Sequence, residues 1–503
     1  MKQFKYIALS LLLAGALTSC EDFLTVSSPD ELTSDSFWRD RSDAEAALAS
    51  AYSKLEASTD TWEFPEVYFP VEAYREDIIK PGADAYNYPN WIELANFTYT
   101  NGNSQFSAYW RDNYYGINYS NQVIENVPLI PAGKISEEDR TTFQSEGYFL
   151  RGYYHMKLLL NWERIVIRDK YITSTDELDK ALASRSEAWD FIIDNFTKAT
   201  QLPVTRSAEA TGRATRGAAY AFLGWAHLTR AYEEADKKDA ELNAALNALN
   251  NVTGYSLVKE LRSLFDATNK NSSEGIFELQ LTLDTSNGAR YRTQLHRFIG
   301  CGELWGWEEI LPTDRLVEEY KKEGKIATTG RYDSRLYETL FIRDEYFNDP
   351  EAGRVYGYTY DDWFDGADKP AFRKYMPADF AGMNNNYFGP NIVLMRYANV
   401  LLMKAEVLNE LGRPAEAIPL INEVRARADM PAMTGTAQAE VRAQIEHERM
   451  IEFPLENMRF YDLRRWGKVK EALNAVGRTG FDPAKNNFYP IPIQEVNTNN
   501  AID

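Results

Sequence analysis

The sequence predicts a mainly α protein, a scaffold of paired helices from which long irregular segments project. Three observations carry this. Apolar residues recur at helical spacing over many long stretches, and residues that start and stop helices stand at the ends of those stretches. Two segments, 59–103 and about 271–391, lack that periodicity and are rich in Gly, Pro, Asn, Tyr and Trp. Irregular segments this long inside a compact domain usually carry function.

The chain begins MKQFKYIALSLLLAGALTSC. Lys2 and Lys5 precede an apolar run from Ile7 to Leu17, and small residues lead into Cys20. This is the layout of a secretory leader. The run falls short of the roughly 20 apolar residues that span a bilayer. Leu17-Thr18-Ser19-Cys20 resembles a bacterial lipobox, whose cysteine is acylated and becomes the first residue of the mature chain. Acyl chains contribute about 0.8 kcal/mol per buried CH₂, and stable anchoring takes more than one chain. A triacylated Cys20 meets that need without a transmembrane helix. Residues 1–19 are thus expected to be a leader, 20–40 an extended lipid-anchored tether and 41–503 one body. With Cys20 consumed, Cys301 is left as a buried, inert thiol.

In the body, residues 42–55 are predicted as a helix with Ser42 or Asp43 as N-cap and Ala47, Leu48, Ala51, Tyr52 and Leu55 on one face. Residues 105–127 follow, stopped by Pro128, then 136–162, opened by the capping pattern Ser136-x-x-Asp139. Helices are expected at 176–200, 211–232 and 240–250, and in a second block at 396–428, 437–452 and 456–473. The scaffold therefore lies mainly in 42–58, 105–250 and 392–473, and the ligand-face loops in 59–104 and 271–391. In LMKAEVLNELGRPAEAIPLINEVRARA, Gly412 suits a left-handed helix end and Pro414 the first turn of the next helix. The pair resembles a tetratricopeptide repeat. Residues 276–282, IFELQLT, alternate like a short strand.

Removing Lys2 and Lys5 with the leader takes the formal net charge from −20 to −22. A body this acidic repels nucleic acid. Aromatic residues make up 13% of the chain, more than core filling alone calls for, and the excess suits a surface that meets flat apolar faces such as those of sugars. No phosphate loop, nucleophile elbow, CxxC or EF-hand spacing occurs. His447-Glu448 lacks the second histidine of a zinc-protease motif, since Ile451 stands in its place. In EHERMIEFPLENMRFYDLRRWG, residues 446–467, arginines interleave with aromatic and acidic residues. Phe460, Leu463 and Trp466 share a helix face, and the arginines are expected to pair with carboxylates around a corner at Pro454.

SFWRD…DAEAALASAYSKL (36–55), RYANVLLMKAEVLNELG (396–412), EHERMIEF…MRFYDLRRWG and FYPIPIQEVNTN (488–499) occur in that order behind the lipobox. Together they resemble the SusD/RagB family of Bacteroidetes outer-membrane lipoproteins. The resemblance implies a scaffold of four tetratricopeptide-like helix pairs and a non-enzymatic, cofactor-free role. That role is capture of glycans at the cell surface, as the lid of a SusC-like TonB-dependent β-barrel transporter. A peptide ligand, as in the RagB branch, is the alternative within the family, and an anchored hydrolase the alternative outside it. The acidic Glu21-Asp22 is similar to the signal that sends such lipoproteins to the outer face. Sugar recognition wants a flat ring to stack on with planar polar groups beside it. Candidate ligand contacts are Trp305, Trp307, Tyr291, Tyr74, Arg75, Asp77 and Trp91, with Tyr86, Tyr88, Arg292, Tyr358, Tyr360 and Trp363 as further loop residues.

If Cys20 carries the anchor, Cys20→Ser leaves the fold intact and moves the protein from the membrane pellet to the soluble fraction. A variant that stays lipid-bound contradicts this.

Overall fold

Asp40, rather than Ser42 or Asp43, opens the first helix. In the computed structural model, which describes residues 37–55, 68–286 and 291–502, its carboxylate accepts from the backbone N–H of Ser42 at 2.9 Å. This caps α1 (Arg41–Ser53). Asp43 is occupied otherwise, by the guanidinium of Arg39. Cys20 and nearly all of the expected tether lie outside the described residues.

Two short helices, α2 (Phe69–Ala73) and α3 (Pro89–Asn96), interrupt the first segment expected to be irregular. The long helices then follow closely on the sequence pattern. Asn103 caps α4 (Ser104–Asn126), which ends ahead of Pro128, and Ser136 caps α5 (Glu137–Asn161) through the N–H of Asp139. The helix expected from residue 176 starts later. Ser184 and Glu187 form a reciprocal capping box, and α6 spans Arg185–Ala199. Next come α7 (Arg216–Glu233) and α8 (Lys238–Asn250). In the second segment lie α9 (Leu295–Ile299), α10 (Asp314–Lys321) and α11 (Ser334–Thr339). Beyond it, α12 (Tyr397–Glu410) and α13 (Pro414–Arg427) meet at Gly412, whose φ of +73° makes the turn. α14 spans Gln438–Glu452. The helix expected over 456–473 is two, α15 (Arg459–Arg465) and α16 (Val469–Ala475), separated at Gly467 with φ +70°.

Successive helices pack on one another along the chain, α4 on α5, α5 on α6, α6 on α7 and α7 on α8. The stack continues from α8 to α12, then to α13 and α14. This is a helix-pair solenoid whose two blocks join across the intervening segment. That segment is not structureless. Among the described residues, strands β1 (Ile79–Pro81), β2 (Gly275–Leu279), β3 (Ile310–Pro312), β4 (Leu340–Phe341), β5 (Ala371–Phe372) and β6 (Ile392–Arg396) form antiparallel pairs. β1 joins β3, β2 joins β6 and β4 joins β5. The β2–β6 pair brings the two ends of the 271–391 segment together, and β1–β3 ties it to the first segment.

The arginine-rich block of residues 446–467 is internal, as expected. Arg449 pairs with Asp462 at 2.7 Å, and Arg465 with Glu406 at 2.8 Å and Asp462 at 2.9 Å. Glu448 lies 2.7 Å from both Arg335 and Arg425. Glu452 is held by Arg335 at 2.9 Å, Arg396 at 2.6 Å and Arg427. Burial pushes the Glu452 carboxyl up, but the three arginines outweigh it and hold it well below the usual carboxylate range. Burial likewise opposes ionisation of Glu319 and Glu323, yet their His447, Lys322 and Arg425 partners bring both to about 2.

These carboxyls protonate near pH 4.3 in an unfolded chain and lower in the folded one. Their stabilisation is therefore complete above about pH 4.3 and is lost as pH falls toward their folded values. A melting-temperature profile should be flat in this respect above about pH 5 and fall steeply below about pH 4. Glu452→Gln, which leaves buried arginines under-compensated, should cost about 3–5 kcal/mol in a denaturant melt.

Candidate ligand-binding face

Residues 300–309 leave α9 and fold back against it. The N–H of Trp305 donates to Gly302 at 3.0 Å, that of Gly306 to Cys301 at 2.9 Å and that of Glu308 to Gly300 at 2.9 Å. Arg297 of α9 donates to the carbonyls of Trp305 and Asn384. The turn forces Trp305 to φ +67°, a left-handed conformation that a bulky residue rarely adopts. Such strain costs on the order of 1–3 kcal/mol and persists where the surroundings over-determine it. Gly306 is part of that over-determination, because a Cβ there would lie 1.8 Å from the carbonyl oxygen of Gly300. The product is a tryptophan held 54% exposed on a fixed main chain. Cys301 at its base is fully buried with a free thiol, which burial pushes up to about 12.

Trp305 sets its ring edge-on to Phe380, with centroids 5.8 Å apart. Phe380 also lies 6.2 Å from Trp363 and 5.9 Å from Tyr356, and Tyr358 packs on Trp363 at 5.2 Å. The Trp363 indole is oriented by a 2.8 Å bond to Val355 O, and Tyr358 is 57% exposed. Beside this patch, Lys369 bridges Glu303, at 2.9 Å, and Glu308. Half-buried Trp307 follows, its N–H 2.6 Å from Arg297 O. An apolar ring cluster rimmed by charged groups meets the C–H face and hydroxyl rim of a sugar.

Four expected contacts are internal and cannot reach a ligand on this surface. Tyr74 is buried and donates to Glu309 O at 2.9 Å. Arg75 is sandwiched between the rings of Phe460 and Tyr489, 4.0 and 4.1 Å away, and donates to Asn161. Asp77 accepts two bonds from Arg459, at 2.9 and 3.1 Å, and lies 3.1 Å from Arg315. Trp91 is buried, stacked on Tyr88 at 4.0 Å with Phe298 against its edge. These residues fasten the end of α2 to α15 and to Glu309 ahead of β3, and α3 to α9. Tyr360 is core too, stacked on Phe364 at 4.4 Å. Tyr291, 39% exposed, lines a separate recess of about 390 Å³ with Tyr52, Arg213 and Gln280. Arg292 lies 3.6 Å over the Tyr387 ring, and Tyr86 stands 67% exposed on another recess. The residues that sequence reasoning missed are Tyr356 and Phe380. Both lie in the Gly- and Asn-rich irregular segment, but neither is a tryptophan next to a glycine, as Trp305 and Trp307 are on either side of Gly306.

Glu323, His447 and Glu448 place three potential metal-ligand atoms within 4.8 Å. Each carboxylate is already paired, Glu323 and Glu448 with Arg425 and Glu448 also with Arg335, while His447 contacts Glu319 at 2.6 Å. This cluster is an ion-pair knot. No helix among the described residues is long and apolar enough to cross a membrane.

Residues 273–503 match the profile of the SusD family, and residues 22–228 match one described as starch-binding associating with outer membrane. SusD-like protein P2 of Formosa agariphila is 27% identical over 100% of this chain and 99% of its own. A second relative from that organism, SusD-like protein P38, is 27% identical over 95% of this chain and 94% of its own. This chain belongs to the SusD/RagB family. Among solved structures, a SusD superfamily protein from Bacteroides vulgatus superposes with a TM-score of 0.78 at 25% identity, covering 93% of this chain and 99% of that one. A laminarin-binding SusD-like protein shares the fold with a TM-score of 0.74 at 23% identity, covering 93% of this chain and 99% of the other. In this SusD-family chain the Trp305 patch and the ion-pair core both fall within the span matched to the SusD family.

Because Gly306 has no room for a Cβ, Gly306→Ala should displace the loop without unfolding the body. Acrylamide quenching of tryptophan fluorescence should change while the far-UV circular dichroism does not. An unchanged quenching profile would show that the loop is not pinned at this point.

Proposed function

We propose that this SusD-family protein is a non-catalytic, lipid-anchored protein of the outer-membrane surface. It captures glycan on the Trp305 patch and passes it to a SusC-like TonB-dependent transporter. The observation that carries the reading is Trp305 itself, an exposed indole on a strained, fixed main chain at the edge of an aromatic cluster centred on Phe380. A ring held rigidly stacks without paying an ordering entropy at binding. Trp307 and Tyr291 are secondary contacts in this reading, Trp307 on the same loop and Tyr291 from its own recess. The family description, starch-binding associating with outer membrane, supports both the ligand class and the location. The lipobox-like LTSC at residues 17–20 supports the anchor.

Affinity gels and calorimetry against plant, host and microbial glycans test the proposal. Trp305→Ala should weaken the tightest binder about tenfold, the size of a lost aromatic contact of about 1.4 kcal/mol, with the melting temperature little changed. Incubation of the same glycans with the protein should release no product. Released oligosaccharide, or affinity indifferent to Trp305→Ala, would overturn it.

A further inference from the structure

Next to the aromatic patch is a cleft of about 540 Å³, within the roughly 300–1,000 Å³ range of small-ligand sites. It opens between the Leu261–Leu264 turn, α11 and the end of α13, and four arginines line it: Arg262, Arg331, Arg373 and Arg427. Two of them are accounted for. Arg427 turns into the core to Glu452, and Arg262 bonds the carbonyls of Met376 and Pro377 and faces Asp266. The other two have no carboxylate partner among the described residues. Arg331 is exposed and lies 4.3 Å over the Tyr346 ring. Arg373 donates to Tyr337 O at 2.6 Å, and its buried Nε has no hydrogen-bond partner. Burial, and after it the charge of Arg262, holds the Arg373 guanidinium down to about 10, and the nearby Glu338 does not offset them.

The carboxylates of the cleft do not fill that need. Asp429 is held by Lys259 at 2.6 Å. Asp266 accepts from Thr268 N at 3.0 Å and faces Arg262. Glu260 stands at the exposed rim. Burial pushes Glu338 up to about 7, so near neutral pH it carries only part of a charge. The cleft thus offers guanidinium to solvent in a chain whose formal net charge is −20. It also touches the aromatic patch, because Pro377 O accepts both from Arg262 Nη2 at 2.9 Å and from Tyr356 Oη at 2.9 Å. Tyr356 in turn packs on Phe380.

We propose that this cleft is an anion subsite of the ligand face, and that the captured glycan is acidic, with a carboxylate or sulfate ester seated between Arg331 and Arg373. The inference rests on the glycan-capture reading and names its substrate class. Guanidinium matches either group with paired N–H donors, and the tyrosine rings of the cleft wall offer stacking surface to the sugar that carries it.

The test uses the full chain and two matched pairs of polymers, polygalacturonate with its carboxyl-reduced form and a sulfated galactan with its desulfated form. The charged member of one pair should bind at least about tenfold tighter than its neutral partner. Which pair shows the preference tells carboxylate from sulfate. Raising NaCl from 0.05 to 0.5 M should erase most of it. Arg331→Gln, a surface change that spares the fold, and Arg373→Gln, checked by a melt, should each reduce binding of the charged polymer about tenfold and leave the neutral one untouched. Equal binding of charged and neutral polymers, or no effect of Arg331→Gln, overturns the anion subsite while Trp305-dependent glycan binding stands. Failure of every polymer to bind overturns the glycan reading together with it.

Discussion

Three arginines converge on Glu452 from three separate places in the chain. Arg335 comes from α11 within the irregular segment, Arg396 from the end of β6 and Arg427 from the end of α13. Desolvating so many charges costs several kcal/mol per ion unless each finds well-placed partners. Here they do, through Glu448, Glu456 and Glu274 as well. A segment of 121 residues, 271–391, with little helical periodicity docks through scattered apolar side chains such as Phe298, Leu316 and Phe341 rather than along one continuous helical stripe. Directional ion pairs with fixed partners supply the register that hydrophobic contact would leave loose. The ligand face is built on that register, since Arg335 stands beside Tyr337 and Lys374, paired with Glu456 at 2.6 Å, stands beside Arg373.

The scaffold was legible in the sequence because its signals are local. Ser136 with Asp139, Gly412 with Pro414 and the stop at Pro128 all act within one or two turns. Where two local signals competed, as at residues 176 and 184, the complete capping box at Ser184 decided the start of α6. Gly467 divided α15 from α16 for the same kind of reason. The site was legible only where its cause was local. Trp305, next to Gly306, is such a case. Arg75 and Asp77 are not, because their partners Tyr489 and Arg459 lie hundreds of residues along the chain. An exposed site and a buried strut have the same composition, and only the fold separates them.

The Trp305 turn is held from outside its own loop. A left-handed tryptophan survives only where the surrounding main chain leaves no alternative. The carbonyl oxygens of Glu308 and Glu309 accept from Asp84 and Gly82 at 3.4 and 3.0 Å, tying the loop to the first segment. That segment is fastened by Asp77 to Arg459 of α15. The strained main chain at Trp305 is thus borne by contacts that run to the buried Asp77–Arg459 pair.

The same logic bears on the cleft. Around Glu452 the chain brings a carboxylate to every converging arginine, including Arg427, whose stem also walls the cleft. Arg373 adjoins Lys374, which is paired, yet is itself left without an acid. In a chain with 75 acidic residues against 55 basic ones, counter-ions are abundant, and a half-buried guanidinium without one is not explained by scarcity. An uncompensated cation in a partly dry wall costs stability and attracts anions. Its position near the aromatic patch is what the proposed ligand would exploit: a sugar chain that stacks on one wall and presents its charge to the other.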